Sequence, residues 1–375
     1  MIELPRLHDA LRTRVRERLG CAYPILQTGM GWVAAPPLVA AACEADAFGF
    51  LAAATLPPGD VRAHIQEVKR RTARPFGVNF LMDAPGADVI VEAIVEEGVR
   101  AAGYNRAPDP AMIRRLKDAG VVCVPTCGAV AHAVKAERLG ADVIIVQGAE
   151  GGGHTGVVPS SLLVSATVDA VEVPVVAAGG FRDGRGLVAA LAFGAEGIAM
   201  GTRFLMTRES PVPDATLHRY VAASVGDVVV SRALDGLPQR MITNELLGEL
   251  ERGGGIRRLV MALRNAWALR RETGASVPEL LRSALAMRRG RQLSTAQTLM
   301  AANAPILARR AMHDGDPVHG YLPSGTVAGL LDDRPTCAEL VARIVEEAEA
   351  TLARIEGAGT AARTQAVPGG RERCG

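Results

Sequence analysis

The chain has 375 residues, of which 49% are hydrophobic, and its formal net charge at pH 7 is +2. So small a net charge gives no argument for nucleic-acid binding, so any basic feature must be local, and the length accommodates either one large α/β barrel or two domains. The first residues lack the apolar core of a signal peptide, and no apolar stretch is long enough to span a bilayer. We therefore expect a cytoplasmic protein that binds neither nucleic acid nor membrane.

Short apolar runs alternate with amphipathic runs between Pro24 and Phe204. Eight such units predict an α/β fold, a closed (β/α)8 TIM barrel. An open doubly wound sheet is the alternative, but the turn Thr28-Gly29-Met30-Gly31-Trp32 after the first strand lacks the Gly-x-Gly-x-x-Gly spacing of that fold. The predicted strands are Ile25–Thr28, Phe48–Ala52, Phe76–Phe80, Val99–Ala102, Val121–Pro125, Val143–Gln147, Val175–Ala178 and Gly197–Met200. The predicted helices include Leu38–Glu44, Asp60–Arg71, Met112–Ala119, Val130–Leu139 and Gly184–Phe193.

The alternation of strands and helices stops after Phe204, which suggests that a segment of different structure follows the barrel strands. We expect the barrel to occupy residues 1–207 and a mainly helical insertion, a substrate cap, to occupy 208–302. Residues 303–356 should return to the barrel and end in an amphipathic helix from Cys337 to about Ile355. The small, polar, glycine-rich residues 357–375 predict a disordered tail. The helices predicted in the insertion are Ile256–Arg271, Val277–Arg288 and Thr295–Ala302.

The turn after the sixth predicted strand combines an acid, three glycines and a histidine. It reads Gln147-Gly148-Ala149-Glu150-Gly151-Gly152-Gly153-His154. Glycines allow the main chain to approach a ligand closely, and an imidazole can exchange a proton near neutral pH. We therefore expect His154 to act as a base, although a histidine that only caps the strand end is the alternative. Glu150 either orients His154 or caps the next helix.

Two later strands also end in small residues. Gly179-Gly180 follows the seventh predicted strand, and Gly201-Thr202 follows the eighth. In a TIM barrel, phosphate groups are often bound by main-chain amides after these two strands. These turns therefore predict a site for a phosphorylated, planar cofactor, to which the Thr202 hydroxyl adds a donor.

The six cysteines are scattered along the chain without the spacing of a disulfide framework or a zinc site. We expect buried, reduced thiols and no metal.

Arginines in the predicted insertion suggest a second kind of contact. Arg257, Arg264 and Arg271 are seven residues apart and share one predicted helix face. They form either a solvated surface or a site for the phosphates of a coenzyme A ester, which guanidinium groups bind well. Trp32, Trp267 and Ser324 are further candidates for substrate contacts, and packing is the alternative for the tryptophans.

Several of these segments, in this order, resemble the FMN-dependent nitronate monooxygenase family, which also includes flavin-dependent enoyl-ACP reductases. That resemblance implies a TIM barrel with a domain inserted after strand eight, and FMN at the carboxyl ends of the strands. It also implies that Thr28, Gly29 and Met30 lie along the isoalloxazine and that Asn79 hydrogen-bonds to it. It places Gln147, Gly151, Gly152 and Gly153 on the ring or ribityl chain, and Gly179, Gly180, Gly201 and Thr202 on the phosphate. The segments that carry the resemblance are Gln27–Met30, Gly77–Asn79, Gln147–His154, Ala178–Gly180 and Met200–Phe204.

The segments Gly31–Ala34 and Leu331–Pro335 resemble an actinobacterial branch of that family. This implies an enzyme of steroid breakdown that oxidises a bicyclic hydroxyacyl-CoA, with a hydride passing to the flavin and the hydroxyl proton passing to His154. Three alternatives stay open: a nitronate monooxygenase that uses oxygen, an NAD(P)H-dependent enoyl-thioester reductase, and a non-catalytic flavin-binding scaffold. NAD(P)H as electron donor or acceptor, and assembly as a homodimer, are also open.

Overall fold

Eight parallel strands form a closed barrel, which confirms the predicted fold class. The computed structural model describes residues 7–105, 108–252 and 295–365, with the side chains of the last range described from 304 to 358. Each strand pairs in parallel with the next, and the last pairs with the first, Ile25 opposite Ile198. The barrel strands are β1 (Ile25–Gln27), β2 (Phe48–Ala52), β3 (Gly77–Leu81), β4 (Ala101–Asn105), β5 (Val122–Cys127), β6 (Ile144–Gln147), β8 (Val175–Ala178) and β9 (Ile198–Met200).

The described helices surround this barrel or follow it along the chain. Two of them begin at a capping aspartate: Asp109 accepts hydrogen bonds from the backbone N–H groups of Ala111 and Met112, and Asp183 accepts one from that of Gly186. The helices are α1 (Arg14–Leu19), α2 (Pro36–Glu44), α3 (Val61–Arg71), α4 (Ala87–Glu96), α5 (Pro110–Asp118), α6 (Val130–Arg138), α7 (Ser160–Val168), α8 (Gly184–Ala192), α9 (Thr202–Leu205), α10 (Asp214–Val221), α11 (Glu245–Arg252), α12 (Thr295–Met312) and α13 (Cys337–Gln365).

The inside of the barrel is filled from one end. Alternate strand residues such as Leu26, Phe48 and Ile145 point inward and form one buried cluster. Val15 and Leu19 of α1 belong to the same cluster. Because α1 closes the amino-terminal end of the barrel with apolar side chains, space for a ligand is left only toward the carboxyl ends of the strands.

The barrel strands and the helices named from the sequence between them agree with the observed elements to within a few residues at each end. Two helices between barrel strands were not among those named. These are α4 and α7. In α4, the run Val89-Ile90-Val91 consists of β-branched residues, which are more typical of a strand. In α7, serine and threonine are spread among apolar residues, so the helical period is weak. Both helices form because packing against the barrel outweighs these local preferences.

A small antiparallel sheet stands beside the barrel, in part of the chain that was expected to be mainly helical. It consists of β7 (Gly153–His154), β10 (Val228–Ser231) and β11 (Gln239–Ile242), with β11 in the middle. In the register, His154 lies opposite Gln239. The sheet therefore joins the turn after β6 to a hairpin from far along the chain.

The ends of the predicted insertion and tail also differ from expectation. The helices predicted at Ile256–Arg271 and Val277–Arg288 lie outside the described residues, whereas Thr295–Ala302 is the start of α12. The last helix, α13, continues to Gln365 and so includes part of the expected tail. Residues 366–375 lie outside the described part of the chain.

Five cysteines in the described ranges are buried free thiols, as predicted; Cys374 lies outside those ranges. Burial raises the pKa of each of the five to about 12, so they are poor nucleophiles and poor metal ligands at neutral pH. Within the described part of the chain, no helix combines the length and apolar character needed to cross a lipid bilayer. The five thiols are Cys21, Cys43, Cys123, Cys127 and Cys337.

Candidate active site

A cavity of about 270 Å³ opens at the carboxyl ends of the barrel strands. It is lined by the turns after β1, β6, β8 and β9 and by side chains from the strands themselves. Glycines make up a third of its lining, so much of its wall is bare main chain. The lining includes every residue named above as a cofactor contact: Thr28, Gly29, Met30, Asn79, Gln147, Gly151, Gly152, Gly153, Gly179, Gly180, Gly201 and Thr202.

The turn after β6 is held in place from several directions. The Gln147 side chain donates a hydrogen bond from Nε2 to the carbonyl of His154, 3.0 Å away. A Cβ atom on Gly152 would lie 2.6 Å from the backbone nitrogen of Gly325 and from the carbonyl carbon of Ser324. Glycine is therefore required at position 152 for this turn to pack against the 324–325 backbone.

The two glycines after β8 adopt a conformation that other residues rarely take. Gly179 has φ of +94° and Gly180 has φ of +85°. The Ser160 hydroxyl donates to the carbonyl of Gly179 at 2.7 Å and ties this turn to α7. Nearby, Thr202 Oγ1 accepts a hydrogen bond from the Gly325 backbone at 2.9 Å, so this hydroxyl also joins two cavity walls.

Glu150 caps the following helix, which is one of its two predicted roles. Its carboxylate accepts a hydrogen bond from the backbone N–H of Ser160 at 2.9 Å, and it lies 2.8 Å from the Ser160 hydroxyl, whose single proton it shares with the Gly179 carbonyl. Because Glu150 is engaged at the start of α7, it does not orient His154. The adjacent carbonyl of Ala149 accepts two hydrogen bonds from the guanidinium of Arg240, at 3.1 and 2.9 Å.

The partner of His154 is a residue that sequence reasoning missed. His154 Nε2 lies 2.7 Å from Oδ2 of Asp235, which precedes β11. The imidazole is 54% exposed and the aspartate side chain only 6% exposed. Eighty-one positions separate the two residues, and no motif around Asp235 marks it in the sequence.

His154 lies at the mouth of the cavity rather than inside it. The described residues that line the cavity include its neighbour Gly153 but not His154. The imidazole contacts Asp235 through Nε2 and is 54% exposed. A molecule that fills the glycine-lined space would therefore leave this side chain accessible to a second reactant from outside.

Unlike the predicted cofactor contacts, the predicted substrate contacts Trp32 and Ser324 do not line the cavity. Trp32 is half-buried and donates from its indole nitrogen to the carbonyl of Pro305 in α12, at 3.1 Å. Ser324 is fully buried, and its hydroxyl donates to the Gly325 carbonyl at 3.1 Å. Neither belongs to the cavity lining among the described residues, and a substrate contact by either stays a prediction. Arg257, Arg264, Arg271 and Trp267 lie outside the described residues.

Side-chain amides supply the polar groups of the cavity. Asn79 on β3, Asn105 at the end of β4 and Gln147 at the end of β6 all contribute to the wall. The Oδ1 atom of Asn105 is buried and has no hydrogen-bond partner among the described residues. The described ranges contain no cluster of three histidine, cysteine or acidic side chains placed to hold a metal ion.

A closed parallel barrel with a cavity at the carboxyl ends of its strands defines the TIM-barrel class of enzymes. A family model described as nitronate monooxygenase matches residues 12–347 of this chain. The chain belongs to the nitronate monooxygenase family, and its relatives are oxidoreductases.

Two curated relatives share nearly half of their residues with this chain. The one from Rhodococcus jostii (strain RHA1) is 47% identical over 340 residues, which cover 91% of this chain and 96% of the relative. The one from Mycobacterium tuberculosis (strain ATCC 25618 / H37Rv) is 48% identical over 341 residues, which cover 90% and 96%. Both are named (3aS,4S,5R,7aS)-5-hydroxy-7a-methyl-1-oxo-octahydro-1H-indene-4-carboxyl-CoA dehydrogenase.

A solved structure confirms the likeness of fold. FabK from Thermotoga maritima superposes with a TM-score of 0.73 at 33% sequence identity, over 92% of this chain and 99% of that one. The expected resemblance to the nitronate monooxygenase family is therefore confirmed both by sequence and by structure.

Proposed function

We propose that this chain is an FMN-dependent dehydrogenase that oxidises the secondary alcohol of a bicyclic hydroxyacyl-CoA of steroid origin. The substrate class is that named for the two relatives that are nearly half identical over nine-tenths of the chain. The single structural observation that carries the proposal is the glycine-lined cavity, with an accessible imidazole at its mouth.

The residues of the cavity suit FMN in two respects. Bare main chain at Gly151, Gly152 and Gly153 allows a flat ring to lie close to the backbone. The amides of Asn79 and Asn105 would hold the polar edge of such a ring, and the unpartnered Asn105 oxygen could accept a hydrogen bond from it. We propose that the isoalloxazine lies along Thr28, Gly29 and Met30, next to Asn79, and that Gln147 contacts the ring or the ribityl chain. We assign the phosphate to Gly179, Gly180, Gly201 and Thr202.

His154 would act as the base for the alcohol. When bound, the flavin supplies an acceptor for the hydride that leaves the carbinol carbon. His154 takes the hydroxyl proton, so that the alcohol becomes a ketone. Its position at the cavity mouth allows this contact, because the substrate has to approach the cofactor from the open side.

The proposal predicts the spectrum of the purified protein. It should be yellow with bound FMN, and a hydroxyacyl-CoA of this class should bleach the flavin band under anaerobic conditions. Propionate-3-nitronate and NADH, added separately, test the two alternative activities that the family offers. Bleaching by the nitronate without any response to the hydroxyacyl-CoA would replace our assignment with a nitronate monooxygenase, and bleaching by NADH alone would favour a reductase. A colourless protein that does not take up FMN would leave only a scaffold role.

The close approach at Gly152 predicts a loss of cofactor binding in Gly152→Ala. The new Cβ would lie 2.6 Å from backbone atoms of Ser324 and Gly325, so the turn or the facing segment has to move. We expect FMN affinity to fall about tenfold or more, which corresponds to about 1.4 kcal/mol or more. Fluorescence titration of FMN into apoprotein measures this change, and far-UV circular dichroism checks that the fold is retained.

Gly156→Ala is the matched control, because Gly156 follows the same turn and a Cβ there would come no closer than 3.7 Å to the carbonyl oxygen of Gly128. Its FMN affinity should equal that of the unmodified protein. Equal affinity in both variants would show that the 151–153 turn does not form part of the cofactor site.

A further inference from the structure

We propose that Asp235 is a positioning residue that holds the His154 imidazole with its proton on Nε2, so that Nδ1 is the nitrogen that accepts the substrate proton. This inference rests on the proposed function for its chemistry, but the arrangement of the two side chains can be tested without any turnover.

Both oxygens of Asp235 have a defined hydrogen-bond donor. Oδ2 lies 2.7 Å from His154 Nε2, and Oδ1 accepts the backbone N–H of Leu237 at 2.9 Å. The carboxylate is therefore fixed by its own loop before it meets the imidazole. Since its side chain is only 6% exposed, solvent competes little for this contact.

The charge on Asp235 decides which ring nitrogen carries the proton. Burial alone would raise the pKa of Asp235, but hydrogen bonds from His154 and from the Leu237 backbone outweigh it and hold the pKa below its ordinary value. At neutral pH the group is therefore a carboxylate, which can only accept hydrogen bonds. His154 must then donate from Nε2, and in the neutral ring the lone pair lies on Nδ1.

Other charged or titratable groups near this pair do not take over the role of Asp235. Tyr321, below Gly153, is buried, and burial together with the Asp235 charge raises its pKa, so it stays neutral. Arg240 on β11 donates to the carbonyl of Ala149, and Glu150 caps α7. Arg232, at the end of β10, has an exposed side chain that approaches the carbonyl of Gly236. Among the described residues, Asp235 is the carboxylate in contact with the imidazole.

The consequence for the reaction is a defined proton path. The alcohol O–H bond breaks and its proton passes to Nδ1, while the carbon-bound hydrogen leaves with two electrons to the bound flavin. The positive charge that develops on the imidazole is then stabilised by the carboxylate 2.7 Å away on the opposite nitrogen. The same pair could instead serve only to attach the β10–β11 hairpin to the turn after β6, and the experiment separates the two roles.

The test compares Asp235→Asn with the unmodified protein in two measurements. In ¹⁵N NMR spectra of the histidine side chains, with His154→Ala used to assign the signal, the unmodified protein should show His154 protonated on Nε2 at neutral pH. In Asp235→Asn the preference should be lost. In turnover assays kcat should fall about 10²-fold or more, because wrong orientation or protonation of a catalytic imidazole is costly. The acid limb of the kcat–pH profile should move to lower pH, since the protonated imidazole loses its anionic partner.

Glu251→Gln is the matched control. Glu251, on α11, accepts a hydrogen bond at 2.8 Å from Ser231 of β10, a strand of the same small sheet, and this pair does not contact His154. It should leave the pH profile and the tautomer unchanged. A purely structural role of Asp235 would lower stability yet leave both unchanged as well.

The inference is overturned if the unmodified protein carries the His154 proton on Nδ1, or if Asp235→Asn retains the original profile. A proton on Nδ1 in the unmodified protein overturns the inference even if the variant does not fold. Failure of the proposed function looks different: hydroxyacyl-CoA would not bleach the flavin, although the Nε2–H tautomer would still depend on Asp235.

Discussion

Turnover in His154→Ala should fall about 10²–10⁴-fold, the usual effect of removing a general base, while the protein stays yellow. Colour should be retained because His154 does not belong to the described lining of the cavity, and its backbone contacts remain possible with alanine. Steady-state kinetics with the hydroxyacyl-CoA and the flavin absorbance of the purified variant measure the two effects separately.

His132→Ala provides the comparison, because His132 is an exposed histidine on α6, away from the cavity lining. It should have the turnover of the unmodified protein. If His154→Ala retained a near-normal rate, the base would have to be another group. If it lost both colour and turnover, the imidazole would be part of the cofactor site instead.

The second large effect concerns the stability of the barrel below the cavity. Arg203, on α9 directly after the Gly201-Thr202 turn, is 1% exposed, and its Nη2 lies 2.8 Å from Oδ1 of Asp333. The residues around Asp333 in the sequence are typical of a solvated loop. In the structure, however, Asp333 contacts this buried guanidinium. Asp333→Ala leaves the Arg203 charge without its carboxylate, and we expect the free energy of unfolding to fall by about 3 kcal/mol. The value is at the low end for a buried pair, because Asp333 itself is 40% exposed.

The matched variant Arg343→Ala tests this explanation. Arg343 also contacts Asp333, at 2.7 Å, but its side chain is 46% exposed, so its loss should cost less than about 1 kcal/mol. Urea unfolding of the three proteins measures the difference. Equal losses in both variants would show that burial of Arg203 is not the cause.

The same ion pair predicts how the free energy of unfolding changes with pH. Burial by itself would raise the pKa of Asp333, but Arg343 and Arg203 hold it below the ordinary value. The carboxylate therefore stabilises the folded state at pH values above the ordinary aspartate pKa, and this contribution is lost as pH falls through the lowered pKa. The difference in stability between the unmodified protein and Asp333→Ala should accordingly shrink in acid.

Much of the barrel could be predicted from local patterns. The runs Phe48–Ala52 and Val175–Ala178 were predicted with the bounds that the structure has, because short buried strands between turn residues have a characteristic composition. The helices α4 and α7 were not predicted, because their local preferences do not match the structure that packing imposes. The insertion was expected to be mainly helical, and β10 and β11 were not predicted there. These strands form because β11 pairs with β10 and with β7 in the turn after β6.

The amino-acid sequence by itself determined the barrel and the glycine turns at its carboxyl end, because side-chain alternation and the absence of a Cβ are properties of a few consecutive residues. Only the tertiary structure decided that His154 meets Asp235, that Glu150 turns to α7 instead, and that Asp333 neutralises a buried arginine. The pairs His154–Asp235 and Arg203–Asp333 join residues far apart in the chain, so they depend on how hairpins and loops pack against the barrel, and no local pattern encodes that packing. Glu150 had two candidate roles in the sequence, and the packing of α7 selects one of them.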